Sequence, residues 1–90
     1  MIMPVKLSVP ASEAFRALGV DAVAKYAELC GCQAPAVAAM AEQVAAELGS
    51  RAAAAGPEAD LLLECRSDQG QVDVLVHGPG PAVTVHCAIP

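Results

Sequence analysis

Leu61-Leu62-Leu63-Glu64-Cys65-Arg66-Ser67-Asp68-Gln69-Gly70-Gln71-Val72-Asp73-Val74-Leu75-Val76-His77 decides the fold. Leu61, Leu63 and Cys65 alternate with Leu62, Glu64 and Arg66. After the turn Asp68-Gln69-Gly70-Gln71, Val72, Val74 and Val76 alternate with Asp73, Leu75 and His77. Alternation with period two is the signature of a strand with one buried face, and a polar Gly-containing turn between two such runs makes a hairpin. Pairing Ser67 with Val72 sets Cys65 opposite Val74 and Leu63 opposite Val76 on one face. It sets Arg66 opposite Asp73, Glu64 opposite Leu75 and Leu62 opposite His77 on the other. A slip of one residue would turn every valine to the wet side, so the register is well specified.

Working outward, Val83, Val85, Cys87 and Ile89 alternate with Thr84, His86 and Ala88 and predict a further strand with the first set facing in. At the other end Val5, Leu7 and Val9 alternate with Lys6 and Ser8 and close on Pro10. Two helices fill the gap. Ser12 offers an N-cap, and Phe15, Leu18, Ala22, Tyr26 and Leu29 recur at helical spacing as the expected buried stripe, with Asp21 and Lys25 pairing on the wet side. Gly19 weakens this helix and Gly31 ends it. Pro35 suits the first turn of the second helix, whose stripe reads Val37, Met40, Ala41, Val44, Leu48 and Ala52 before Gly56-Pro57 stops it. The order β-α-α-β-β-β predicts an α/β (α+β) two-layer sandwich: an open mixed or antiparallel sheet with both helices on its apolar face.

Ninety residues make one domain, 1–90. Twenty of the apolar residues are alanines, and one Phe, one Tyr and no Trp leave an aliphatic core. Net charge is −5, from five basic and ten acidic residues, with no Lys/Arg cluster, so nucleic acid is a poor partner and a protein surface a better one. Met1-Ile2-Met3-Pro4 has no charged or apolar leader and no stretch reads as a membrane span, so the expected location is cytoplasmic. Cys30, Cys32, Cys65 and Cys87 are expected to be free thiols. The Cys30-Gly31-Cys32 spacing does not match zinc sites, and His77 and His86 lie on outward strand phases with no carboxylate in obvious register.

The motifs and their order resemble the GHKL (Bergerat-fold) ATPases, and within them the small anti-sigma-factor serine kinases of bacteria. Val9-Pro10-Ala11 is similar to that family's opening, and Glu47-Leu48-Gly49-Ser50-Arg51-Ala52 to its helix box Glu-x-x-x-Asn. Val76-His77-Gly78-Pro79-Gly80 is similar to its Asp-x-Gly-x-Gly, and Val83 to Pro90 to its closing strand. The resemblance implies a histidine-kinase-like ATPase domain whose box Asn binds Mg²⁺ and whose Asp accepts a hydrogen bond from adenine. Here Arg51 stands at the Asn position and Val76 at the Asp position, and only Pro81 and Ala82 separate Gly80 from the last strand, leaving no room for an ATP lid. A guanidinium offers no lone pair to a metal, and valine accepts no hydrogen bond.

The expected reading is therefore a minimised domain without catalytic residues, cofactor or metal, in which Glu47, Ser50, Arg51, Val76, Gly78 and Gly80 are the remains of a nucleotide site. Glu47 and Arg51 also suit a plain i,i+4 pair on the helix surface. Such a protein would act by contact. The outer face of the sheet, with Leu62, Glu64, Leu75, His77, Thr84 and His86, is the expected interface, used for a homodimer. The resemblance adds a sigma factor or an anti-sigma antagonist as heterologous partners. Two alternatives stand beside it: a nucleotide-binding serine kinase with a rearranged site, and a thiol or metal protein built on Cys30 and Cys32.

Overall fold

The structure, a computed structural model, describes residues 4–56, 58–78 and 80–90. The elements follow the order read from the sequence: β1 (Val5–Pro10), α1 (Glu13–Leu29), α2 (Ala34–Ala55), β2 (Asp60–Asp68), β3 (Gln71–His77) and β4 (Val83–Ala88). The sheet is open, antiparallel throughout and ordered β1-β2-β3-β4. Cys65 lies across from Val74, Leu63 from Val76 and Ser67 from Val72, as the alternation requires. The hairpin turns on Gln69 and Gly70, at φ 47° and 83°. Two successive left-handed residues match the twist of the flanking strands, and glycine at the second removes the Cβ penalty. Ile89 N–H donates to the Gly70 carbonyl at 2.8 Å, tying the end of the chain to this turn.

Helix α1 lies over β1 and β2, and α2 over β2 to β4. Leu61, Leu63, Cys65, Val72, Val74, Val76, Val85 and Cys87 point up from the sheet into the core. Val37, Met40, Val44 and Leu48 of α2 meet them, with Ala41 and Ala52 half-buried at the margin. Apart from Tyr26 the core has no aromatic side chain among the described residues, in keeping with the composition.

Helix α1 departs from expectation. Its buried residues are Gly19, Val23, Tyr26 and Ala27, and of the anticipated stripe only Tyr26 is inside. Phe15 is 51%, Leu18 61% and Leu29 68% exposed, and Ala22 is exposed with them. The reason is steric. Gly19 sets the helix so close to β1 that a Cβ there would lie 3.0 Å from a Val9 methyl. That contact rolls the helix about its axis relative to the sequence-based stripe. No break occurs at Gly19; α1 is continuous. Ser12 takes the N-cap position without a side-chain cap bond, and Lys25 pairs with Glu28 at 3.3 Å, an i,i+3 contact that replaces the anticipated pair with Asp21.

The strand ends are also wetter than the alternation implies. Val5 on edge strand β1 is 40% exposed and Val83 at the start of β4 is 37% exposed, although both lie on the inward phase. Each sits on an edge strand, where burial requires cover from the helical layer above.

Candidate functional site

The positions matching the family's helix box lie on the C-terminal half of α2. Val37, Met40, Val44, Leu48 and Arg51 follow one another at steps of three, four, four and three, so Arg51 continues the buried stripe. Its residual exposure is only 6%. An arginine at such a position must carry its partners in with it, because an unpaired buried charge costs several kcal/mol. Arg51 Nε donates to Glu47 Oε1 at 3.1 Å, and an Nη donates to the backbone carbonyl of Pro81 in the β3–β4 connection. Glu47 keeps about a third of its side chain in water, its carboxylate balancing the guanidinium at the rim. The pair expected on the helix surface is thus a buried clasp between α2 and the loop after β3.

The glycines of the loop have their reasons within this chain. A Cβ on Gly78 would lie 3.3 Å from Arg51 Cδ and 3.3 Å from a Leu61 methyl. Glycine at 78 therefore admits the Arg51 stem to the backbone, where in a nucleotide site it would admit a ligand. Gly80 has open space around its Cα and a φ of +94°, so there the requirement is a left-handed turn. Pro79, between them in the Gly-Pro-Gly-Pro motif, lies outside the described residues, as do Pro57 of the Gly56-Pro57 stop and Met1 to Met3 of the leader reading. Val76 is fully buried between Leu63 and Val83 in the sheet. Ser50 is exposed. The fold gathers Glu47, Arg51, Gly78 and Pro81 at one place and fills it with Arg51. Surface hollows of small-molecule size lie along α1: about 310 Å³ between Glu13, Arg16, Val20 and Ala45, and about 400 Å³ beside Ser12, Gly49 and Ala53.

The outer face of the sheet carries the second group of candidates. Leu62 stands opposite His77, Glu64 opposite Leu75, and Thr84 opposite Leu75 on the other side. Leu62 is 38% exposed and Leu75 half-buried, so the two leucines lie diagonally, as read from the register. The histidines do have carboxylates. His86 Nδ1 is 2.7 Å from Asp73 Oδ1, directly across the ladder, and Gln71 Nε2 donates to the same oxygen at 2.9 Å. His77 Nε2 is 3.7 Å from Glu64 Oε1, an ion-pair distance but too long for a hydrogen bond. The register of β3 with β4, once drawn, places Asp73 across from His86; the isolated reading of β4 omitted that pairing.

The thiols converge at the far end of the core. Cys32 Sγ approaches the Cys87 carbonyl oxygen at 3.9 Å, and burial, then Cys87 and Cys30, pushes the Cys32 thiol up to about 12. Burial likewise raises Cys65 to about 11, with Cys30 and Glu64 adding to it. Tyr26 stands above its ordinary value for the same first reason, with Cys30 and Cys65 contributing. All four thiols are free, as expected; Cys32, Cys65 and Cys87 are buried and only Cys30 is half-exposed. Among the described residues no three His, Cys, Asp or Glu side chains come close enough together to hold a metal ion, and no described helix is long and apolar enough to cross a membrane.

The chain was compared with family models, curated proteins and solved structures, and none of the three yields a match.

Proposed function

We propose that this protein is a non-catalytic regulatory module that works by protein–protein contact, resembling an anti-sigma factor that has lost ATP binding. One observation carries the reading: Arg51, buried and held by Glu47 and the Pro81 carbonyl, fills the space beside Gly78 that a nucleotide would need. A positive charge there opposes Mg²⁺, and Val76 offers adenine no acceptor. The five basic residues are spread over four elements, nine positions apart where two share α1, and Arg51 is inside, a distribution that argues against a nucleic-acid surface. What remains is surface. The outer face of the sheet presents leucines among charged and hydroxyl groups and is open to a heterologous partner, the class suggested by the resemblance being a sigma factor or an anti-sigma antagonist.

Titration calorimetry with Mg-ATP tests this directly. No saturable heat is expected, and the double substitution Arg51→Asn with Val76→Asp is expected to leave that unchanged, because nothing would enclose the phosphates. Micromolar binding to the unaltered protein would overturn the proposal in favour of a kinase with a rearranged site.

A further inference from the structure

Five residues of α1 form a helical seam that the monomer leaves largely unused. Phe15, Leu18, Ala22, Tyr26 and Leu29 lie at −7, −4, 0, +4 and +7 from Ala22. Only Tyr26 is buried; the other four are exposed, and Phe15 and Leu18 among them border edge strand β1. Phe15 and Leu18 overhang Leu7 to Pro10 and enclose a hollow of about 140 Å³ with them. Spacings of seven and four are those of a helix–helix seam. The seam is also symmetric in sequence, with its smallest side chain at the centre.

We infer that a second copy of this chain docks on this seam, antiparallel, about a twofold axis through Ala22. The inference goes beyond the contact reading above: it adds self-association on a second surface and stands independently of whether the nucleotide site is lost. An antiparallel copy places Phe15 against Leu29 of the second copy and Ala22 against Ala22. Leu18 falls at the level of Tyr26, which is buried in its own protomer and does not protrude against it. Such an isologous contact needs a surface that complements itself, and a palindromic seam is one.

The sheet below has the same centre. Gly19 sits over Val9, in contact with it. Ala22 lies three residues further along the helix, about 4.5 Å. The midpoint of β1, between Leu7 and Ser8, lies one and a half residues back from Val9, about 5 Å. Because α1 runs back over β1, both displacements point the same way. A twofold axis through Ala22 therefore passes over the middle of β1, an edge strand whose outer side pairs with no other strand among the described residues. The two β1 strands then meet antiparallel beneath the helices and join two four-stranded sheets, which also covers Val5 and Leu7. Charge agrees. The protein carries −5 overall, yet no seam residue is charged and the one charge on β1 is Lys6. Two equally acidic copies can approach here with little mutual repulsion.

Sedimentation velocity on the full chain at 10–300 µM tests the assignment. The expected result is a species of twice 9.1 kDa, reduced to a folded monomer by Leu18→Asp, with at least a tenfold rise in dissociation constant. Leu75→Glu, on the outer sheet face, is expected to leave the dimer intact. In a Cys30→Ser background, Ala22→Cys treated with oxidised glutathione is expected to give a covalent dimer, whereas Ala38→Cys on α2 is not. A dimer that Leu75→Glu dissociates and Leu18→Asp does not would overturn the seam and return the contact to the outer face. A monomeric parent protein throughout the range, with no heat on Mg-ATP addition, would overturn this inference and leave the contact reading with a different partner. A dimer that binds Mg-ATP would overturn the non-catalytic reading and leave the seam.

Discussion

The two helices carry stripes of similar quality in the sequence and put them to opposite uses. Along α2, Val37, Met40, Val44 and Leu48 all reach the core, and the next turn inward is Arg51. Along α1, the seam from Phe15 to Leu29 is turned outward, while Gly19, Val23 and Ala27 make the contact with the sheet. One side of the molecule is sealed by its own guanidinium. The other side is open and apolar. The lesson is that equal apolar spacing does not fix which face of a helix is buried: on α2 the stripe carries a paired guanidinium inward, and on α1 a glycine contact turns the stripe outward.

The comparison breaks most readily with matched truncations. Leu48→Ala removes a side chain with no residual exposure and should cost about 2–5 kcal/mol. Leu18→Ala, at 61% exposure, should change the stability of the monomer by less than about 0.5 kcal/mol. Urea unfolding of both, at a concentration where the parent is monomeric, measures the difference; equal losses would mean that α1 is buried on the face assigned here to solvent.

Next in size is the clasp. Arg51→Ala leaves the Pro81 carbonyl without that donor and the Glu47 carboxylate half-buried beside a void, a loss of about 2–4 kcal/mol. Arg51→Met keeps the stem against Gly78 and should lose less. If the alanine variant were as stable as the parent, Arg51 would be a surface residue after all. Gly19→Ala comes third. Alanine favours helix over glycine by about 1 kcal/mol, but here its Cβ would lie 3.0 Å from a Val9 methyl. Overpacking of this kind costs about 1–3 kcal/mol, so the net change should be destabilising and small. A gain in melting temperature would show that α1 can lift from β1 freely.

The effect that is smallest at pH 8, and grows only above it, concerns the thiols. Burial holds Cys32 near 12 and Cys65 near 11, above the ordinary value of 9. Both remain protonated in the folded protein at pH 8, so alkylation there should label Cys30 first and the others only on unfolding. The linkage has a definite sign. Below about pH 8.5 these thiols are neutral in both states and their effect on stability is flat. Above it the unfolded thiols ionise while Cys32 and Cys65 do not, so stability falls as pH rises toward 11–12. Cys65→Val should flatten part of that fall in urea midpoints recorded from pH 8 to pH 11.

The element order, the antiparallel hairpin, its register and the stripe of α2 were legible in the sequence because period-two alternation and helical spacing fix those features locally. The roll of α1 was not, since Phe15, Leu18 and Leu29 outweigh Val23 and Ala27 on any hydrophobicity count. What decides the roll is Gly19 meeting Val9, a contact between residues ten apart that no periodicity reports. Arg51 was misplaced for a related reason: its spacing of three from Leu48 put it on the buried stripe, but its charge argued for the surface. The carboxylate partner of His86 needed only the register of β3 with β4. The convergence of Cys30 and Cys32 with Cys65 and Cys87 required the tertiary fold.

The contrast between a sealed side and an open side can be tested in one measurement: amide hydrogen exchange along the chain, recorded at low and high protein concentration and repeated with Mg-ATP. The account predicts that protection rises with concentration in β1 and α1 alone, and that Mg-ATP leaves α2 and residues 76–83 unchanged. Protection by Mg-ATP around Arg51 and Gly78, with α1 indifferent to concentration, would contradict it.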